Sequence, residues 1–144
     1  MVDFAECKVS LWFIGDTLDP DELAQRLGQP SDYQCRKGEV YRSKDGQEMV
    51  ARTGRFQLTT GWRPGEPMER LITELLEKVP DDDSVWERIN TEMTSEIVCG
   101  AIMDSVNEET VLSADTLLAL GRRGLSLNLD IYDSGDGPIA SSDG

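Results

Sequence analysis

Leu125-Ser126-Leu127-Asn128-Leu129-Asp130-Ile131-Tyr132 decides the fold. Leucine or isoleucine stands at every second position, with Ser, Asn, Asp and Tyr between. Side chains of a strand point alternately to its two faces, so this is a strand with one dry face and one that meets water or a partner. Strands of a doubly wound parallel sheet are covered on both faces and read as continuous apolar runs. The alternation therefore predicts an α+β fold: a mostly antiparallel sheet with helices packed on one face.

Just upstream, Leu112-Ser113-Ala114-Asp115-Thr116-Leu117 carries a helix start, with Ser113 at the N-cap and leucines flanking it at the spacing of a hydrophobic staple. The same signal occurs in Leu18-Asp19-Pro20-Asp21-Glu22-Leu23, with Asp19 as cap and Pro20 in the first helical position. The first helix is expected over about Pro20 to Leu27, closed by Gly28, and the last over Ser113 to Arg123. The repeat is compatible with an internal strand-helix duplication and equally with two independent uses of the same cap chemistry.

Cys7 to Ile14 alternates, with Cys7, Val9, Leu11 and Phe13 on one face. Tyr33 to Ser43 and Glu48 to Ala51 flank Lys44-Asp45-Gly46, a hairpin turn in which glycine accepts positive φ, and Arg55 to Thr60 supplies a further strand. Met68, Leu71, Ile72, Leu75, Leu76 and Val79 recur on one face of a central helix. The run Asp81-Asp82-Asp83 then caps a shorter helix carrying Val85, Trp86 and Ile89. Glu96 to Met103 reads as another strand. The expected order is strand-helix-strand-strand-helix, then strand-helix-strand. One domain over residues 1–133 and a disordered acidic Gly/Ser tail over 134–144 complete the expected organisation.

Composition narrows the chemistry. The chain has no histidine, which excludes histidine triads, histidine-metal sites and histidine proton shuttles. Cys7, Cys35 and Cys99 are unpaired by number and lack Cys-x-x-Cys spacing, so buried free thiols are expected, with no metal and no cofactor. Three consecutive aspartates lack the alternating oxygens and glycine of a calcium loop. The net charge of −14 disfavours nucleic acid and anionic membranes as partners, although residues 36–70 carry a local balance of +3. No run of ~18 apolar residues suggests a membrane span. Asp3 and Glu6 stand where a secretory signal would place Lys or Arg, which predicts a cytoplasmic location.

Two functional readings remain. The leading one is a noncatalytic protein-binding domain, in its sharpest form an immunity-type protein that masks a basic toxin or nuclease. A cationic partner would be steered in by the acidic charge. The alternative is an anionic-ligand or enzyme site in which Arg36 and Lys37 hold the anion near Trp62, with Asp130 or Asp104 positioning it. Arg36-Lys37-Gly38 lacks the spacing of a phosphate loop, and Trp62 sits among turn residues. Trp86, on an apolar helix face, reads as core, while Trp12 falls on the less apolar side of the first strand.

Taken in order, these segments resemble the bacterial family catalogued as "domain of unknown function 4279". The resemblance is carried by Gly15-Asp16 with Leu18 to Leu23 and Leu27-Gly28, by Arg36-Lys37-Gly38, and by Gly54 to Leu58 ahead of the leucine-rich helix. It continues through Leu112 to Leu117 and Gly124 to Tyr132, so that it spans about Val9 to Tyr132. It implies a small, stand-alone intracellular bacterial α+β domain and supplies no catalytic residue and no cofactor.

Overall fold

The alternation of Cys7, Val9, Leu11 and Phe13 with Lys8, Ser10, Trp12 and Ile14 builds the strand at the centre of the molecule. In the computed structural model, which describes residues 4–133, this strand β1 (Glu6–Gly15) buries the whole first set without residual exposure. It has an antiparallel neighbour on each side, β5 (Gly54–Thr59) and β7 (Thr94–Ile102). Beyond β5 lies the short β2 (Tyr33–Cys35), also antiparallel, and the two-residue β6 (Arg63–Pro64) pairs with the start of β1. Beyond β7 lies β8 (Ser126–Tyr132), the one strand of this sheet that runs parallel to its neighbour.

That exception has a connectivity reason. Parallel neighbours need a long crossover, and residues 103–125 supply one containing α4 (Ala114–Arg122). The rest of the sheet is antiparallel, and α1 (Pro20–Leu27), α2 (Met68–Leu76), α3 (Asp83–Glu92) and α4 all feed one core. Leu23 and Leu27, the apolar face of α2, Trp86 and Ile89, and Leu120 join the buried side chains of β1, β5 and β7. The fold is thus α+β with a mostly antiparallel sheet, as the alternation predicts. Phe13 organises the centre: Trp86 stacks on it at 5.9 Å and Phe56 meets it edge-on at 5.9 Å. The Trp86 indole N–H donates to the Pro80 carbonyl at 2.8 Å, so its one polar group is satisfied inside the core.

Cap chemistry sets the helix starts. The Asp19 carboxylate accepts from the N–H groups of Asp21 and Glu22, and Ser113 Oγ accepts from Thr116 N–H. The Ser113 N–H donates at 2.5 Å to Glu69, which reaches over from α2. In a capping box the third helical residue would take that proton, and here a neighbouring helix does so. Asp82 caps α3, while Asp81 and Asp83 pair with Arg123 and Arg122. The aspartate run therefore has a structural use at each position. β1 and β7 lie antiparallel, and in each unit the strand after the helix runs parallel to the strand before it: β8 directly beside β7, and β2 one place removed from β1, with β5 antiparallel between them.

One expected strand is corrected. Tyr33 to Ser43 is not continuous: β2 ends at Cys35, and β3 (Val40–Arg42) with β4 (Glu48–Val50) forms a separate two-stranded hairpin. The break falls on Arg36-Lys37-Gly38, where Glu39 N–H donates back to the Arg36 carbonyl at 3.1 Å and Gly38 takes φ 90°. A side chain there would be strained, so glycine marks the turn. The expected tail, residues 134–144, lies outside the described residues.

Candidate functional site

The five residues singled out by their chemistry do not form one site. Arg36 and Lys37 lie in the turn after β2, at the end of β1 that leads into α1. Arg36 bridges Asp19 at 3.0 Å and Asp21 at 2.9 Å, and Lys37 reaches Asp16 at 3.2 Å. Asp19 caps the first helix, Asp21 stands in its first turn and Asp16 lies in the turn before it, so the two cations neutralise carboxylates at and just ahead of the helix start. Hydrogen bonding to Lys37 holds the Asp16 carboxyl below its usual range. Burial works to raise Asp19, but the Glu22 backbone N–H and Arg36 outweigh it and hold that carboxyl low as well. The anion that these cations meet is the protein's own.

Trp62 stands near the opposite end of β1, against Lys8. Eight residue steps, seven of them within β1, lead from Lys8 to Asp16, roughly 27 Å of extended chain. Arg36 and Lys37 therefore do not converge with Trp62. Asp104 lies in the turn after β7, where its backbone N–H donates to the Glu108 side chain.

Trp62 and Asp130 do share a neighbourhood. Lys8, Gly100 and Asp130 lie in register across β1, β7 and β8, on the sheet face turned away from the helices. Gly100 has no side chain, and the Trp62 ring fills the space above it: a Cβ there would stand 3.0 Å from Trp62 Cη2. Lys8 Nζ lies 5.3 Å from the ring centroid, a cation–π distance. Tyr132 meets Trp62 edge-on at 6.4 Å and donates its hydroxyl proton to Asp130 at 2.8 Å. Sequence reasoning picked out Trp62 and Asp130 but missed Lys8 and Tyr132. The signal was available, because Lys8, Asp130 and Tyr132 are all even-numbered members of alternating strands and must share the face opposite the core.

The structure's concavities lie elsewhere. An open groove of about 680 Å³ between α2 and the start of α4 is lined by Glu66, Glu69, Arg70, Glu74, Ser113 and Thr116 and includes none of the five. Arg63 occupies two of the nearby acids, donating to Glu74 through both terminal nitrogens and to Glu66. Among the described residues no group of three His, Cys, Asp or Glu side chains is placed to hold a metal ion. Cys7, Cys35 and Cys99 are buried and form no disulfide, and burial, with Cys7 beside it, pushes the Cys99 thiol up to about 12.

The edge of the sheet carries a further departure from expectation. The apolar set Leu125, Leu127, Leu129 and Ile131 is dry only in its first half. Leu125 is buried and Leu127 half-buried, but Leu129 is 49% exposed and Ile131 47%. The helix layer stops short of them, since α4 buries Leu120 and leaves Leu117 and Leu118 in solvent. The hairpin of β3 and β4 also exposes apolar side chains, with Val40 and Val50 opposite each other and Tyr41 opposite Met49. No helix among the described residues is long and apolar enough to cross a membrane.

Among known proteins, a family model described as a domain of unknown function (DUF4279) matches residues 5–134. No curated protein and no solved structure matches the chain.

Proposed function

Since the chain belongs to the family of the domain of unknown function DUF4279, which carries no assigned activity, we propose from its own surface that it is a noncatalytic protein-binding domain. The observation that carries the reading is the pair of half-exposed side chains Leu129 and Ile131 on an edge strand of an acidic protein. Apolar side chains in a row at a sheet edge gain from a covering partner what burial is worth, about 25 cal/mol per Å². The net charge of −14 selects that partner by sign and speeds its encounter. The sharper form is immunity-type neutralisation of a basic toxin or nuclease, for which an acidic surface imitates the charge of the natural substrate.

The test is co-purification from the native host, followed by affinity measurements on the recovered pair between low and high salt. Binding by a cationic protein, weakening as the Debye length falls from about 30 Å at 0.01 M to about 3 Å at 1 M, supports the reading. Failure to recover a protein partner removes the reading, and salt-independent binding removes its electrostatic form.

A further inference from the structure

Both ends of a sheet are open to pairing unless something blocks them, and the two ends here differ. At one, β2 has three residues and leads at once into the Arg36 turn. At the other, β8, which has no strand beyond it among the described residues, has seven, with no lysine or proline and with Asp130 as its one charged side chain. The Tyr132 carbonyl accepts from Met103 N–H at 2.9 Å and so points toward the β7 side. Successive peptide groups of a strand alternate in direction, so Asn128 and Asp130 point the same way. The N–H and C=O groups of Leu127, Leu129 and Ile131 then point outward, away from the sheet.

Two of these residues, Leu129 and Ile131, carry the uncovered apolar side chains. An outward ladder of three donors and three acceptors and a stripe containing Leu129 and Ile131 therefore coincide along one edge. The stretch of chain that leads from β7 through α4 to the end of β8 is acidic: residues 103–133 contain Asp104, Glu108, Glu109, Asp115, Asp130 and Asp133 against Arg122 and Arg123. Both arginines are engaged with Asp81, and Arg122 also with Asp83. A second copy of this chain would bring the same acids to the interface. A strand rich in lysine or arginine would bring their complement.

We propose that β8 is a docking edge at which a protein partner adds an extended, basic strand, pairing its backbone with Leu127, Leu129 and Ile131 and laying its apolar side chains on Leu129 and Ile131. The proposal rests on the protein-binding reading and names its surface and partner chemistry. Such strand addition draws affinity from main-chain hydrogen bonds and specificity from alternate side chains.

The test uses the full chain and three labelled synthetic nine-residue peptides: one alternating lysine and valine, the same peptide with proline for alternate valines, and one alternating glutamate and valine. The lysine-valine peptide is expected to bind at least tenfold more tightly than either of the others by fluorescence anisotropy. It is also expected to slow amide exchange at Leu127, Leu129 and Ile131 by at least tenfold. Leu129→Pro, which removes an outward N–H that β7 does not use, should lower the affinity at least tenfold with the circular dichroism spectrum retained. If that variant does not fold, Leu129→Lys, which sets a cation on the stripe, should give the same loss. Equal binding of the proline peptide, protection confined to other amides, or slow exchange at these three amides without peptide overturns the proposal. So does a concentration-dependent dimer abolished by Leu129→Lys. A native partner that binds with salt sensitivity but is indifferent to both variants overturns the docking edge and leaves the protein-binding reading standing.

Discussion

The six-membered ring of Trp62 rests against Gly100, so that a Cβ added there would stand 3.0 Å from Trp62 Cη2. The loop that carries Trp62 is thereby seated on the open face of the sheet, between Lys8 and Tyr132. Gly100→Val should displace the ring, since overpacking at close contacts costs about 1–3 kcal/mol. The expected outcome is a lower urea midpoint and a red-shifted tryptophan emission. Starting from Trp62→Phe, the same substitution should leave the emission of Trp12 and Trp86 unmoved.

Much of this architecture was legible because it follows from local chemistry. Pro20 to Leu27 is a helix because Asp19 caps it, Pro20 fits its first turn and Gly28 takes φ 71° at its end, and each of these is a one-residue signal. The break at Arg36-Lys37-Gly38 was harder to see, since Tyr33 to Ser43 has the composition of one strand and only pairing partners decide that β2 joins β5 while β3 joins β4. The separation of the candidate residues was hidden for a related reason. Arg36 and Trp62 are cation and aromatic in any order, but the strand between their neighbourhoods is nearly the whole of β1. Periodicity gave the direction of Leu129 and Ile131, and the extent of the helix layer, which decides whether they are covered, is a tertiary fact.

Gly124 carries two constraints at once. Its φ is 69°, and a Cβ would stand 2.3 Å from Asn90 Nδ2. Asn90 donates to the Arg123 carbonyl at 2.9 Å and accepts from the Ser95 hydroxyl at 3.0 Å, so it has no free space to yield without losing a bond. Gly124→Ala should cost about 1–2 kcal/mol for the left-handed conformation. Loss of the Asn90 hydrogen bonds should add about 1–3 kcal/mol. Denaturation of the single variants and of Gly124→Ala combined with Asn90→Ala should show a combined loss smaller than the sum, because removing Asn90 removes the clash.

Acid should weaken the joint between α2 and α4. The Ser113 N–H, then Thr116 and the Ser113 side chain, hold the Glu69 carboxyl below its ordinary 4.5. A carboxyl lowered on folding contributes stability that is present above its unfolded pKa and is lost as pH falls through its folded one. The contribution of Glu69 should therefore be constant from pH 8 to about 6, begin to fall near 4.5 and vanish at lower pH. Glu69→Gln should melt earlier than the parent at pH 7, and the gap should narrow as pH falls below 4.5, with Ser113 amide exchange accelerated at pH 7. A constant gap across that range would assign the loss to packing.

The alkaline limit belongs to the thiols. Burial raises Cys99 from 9.0 to about 12, with Cys7 adding repulsion to its thiolate. In the unfolded chain this thiol ionises near its ordinary value, so folding then requires taking up a proton. The stabilisation is complete below about pH 9 and is lost as pH rises toward about 12. The unfolding free energy should decline over that interval, and Cys99→Ala, lower in stability at pH 7 because of the lost volume, should show a shallower decline. At pH 8 a thiol-selective disulfide reagent should leave Cys99 unmodified in the folded protein and react at once after addition of denaturant. Rapid labelling of Cys99 under native conditions would show that the fold opens between β7 and the helix layer on the timescale of the reagent.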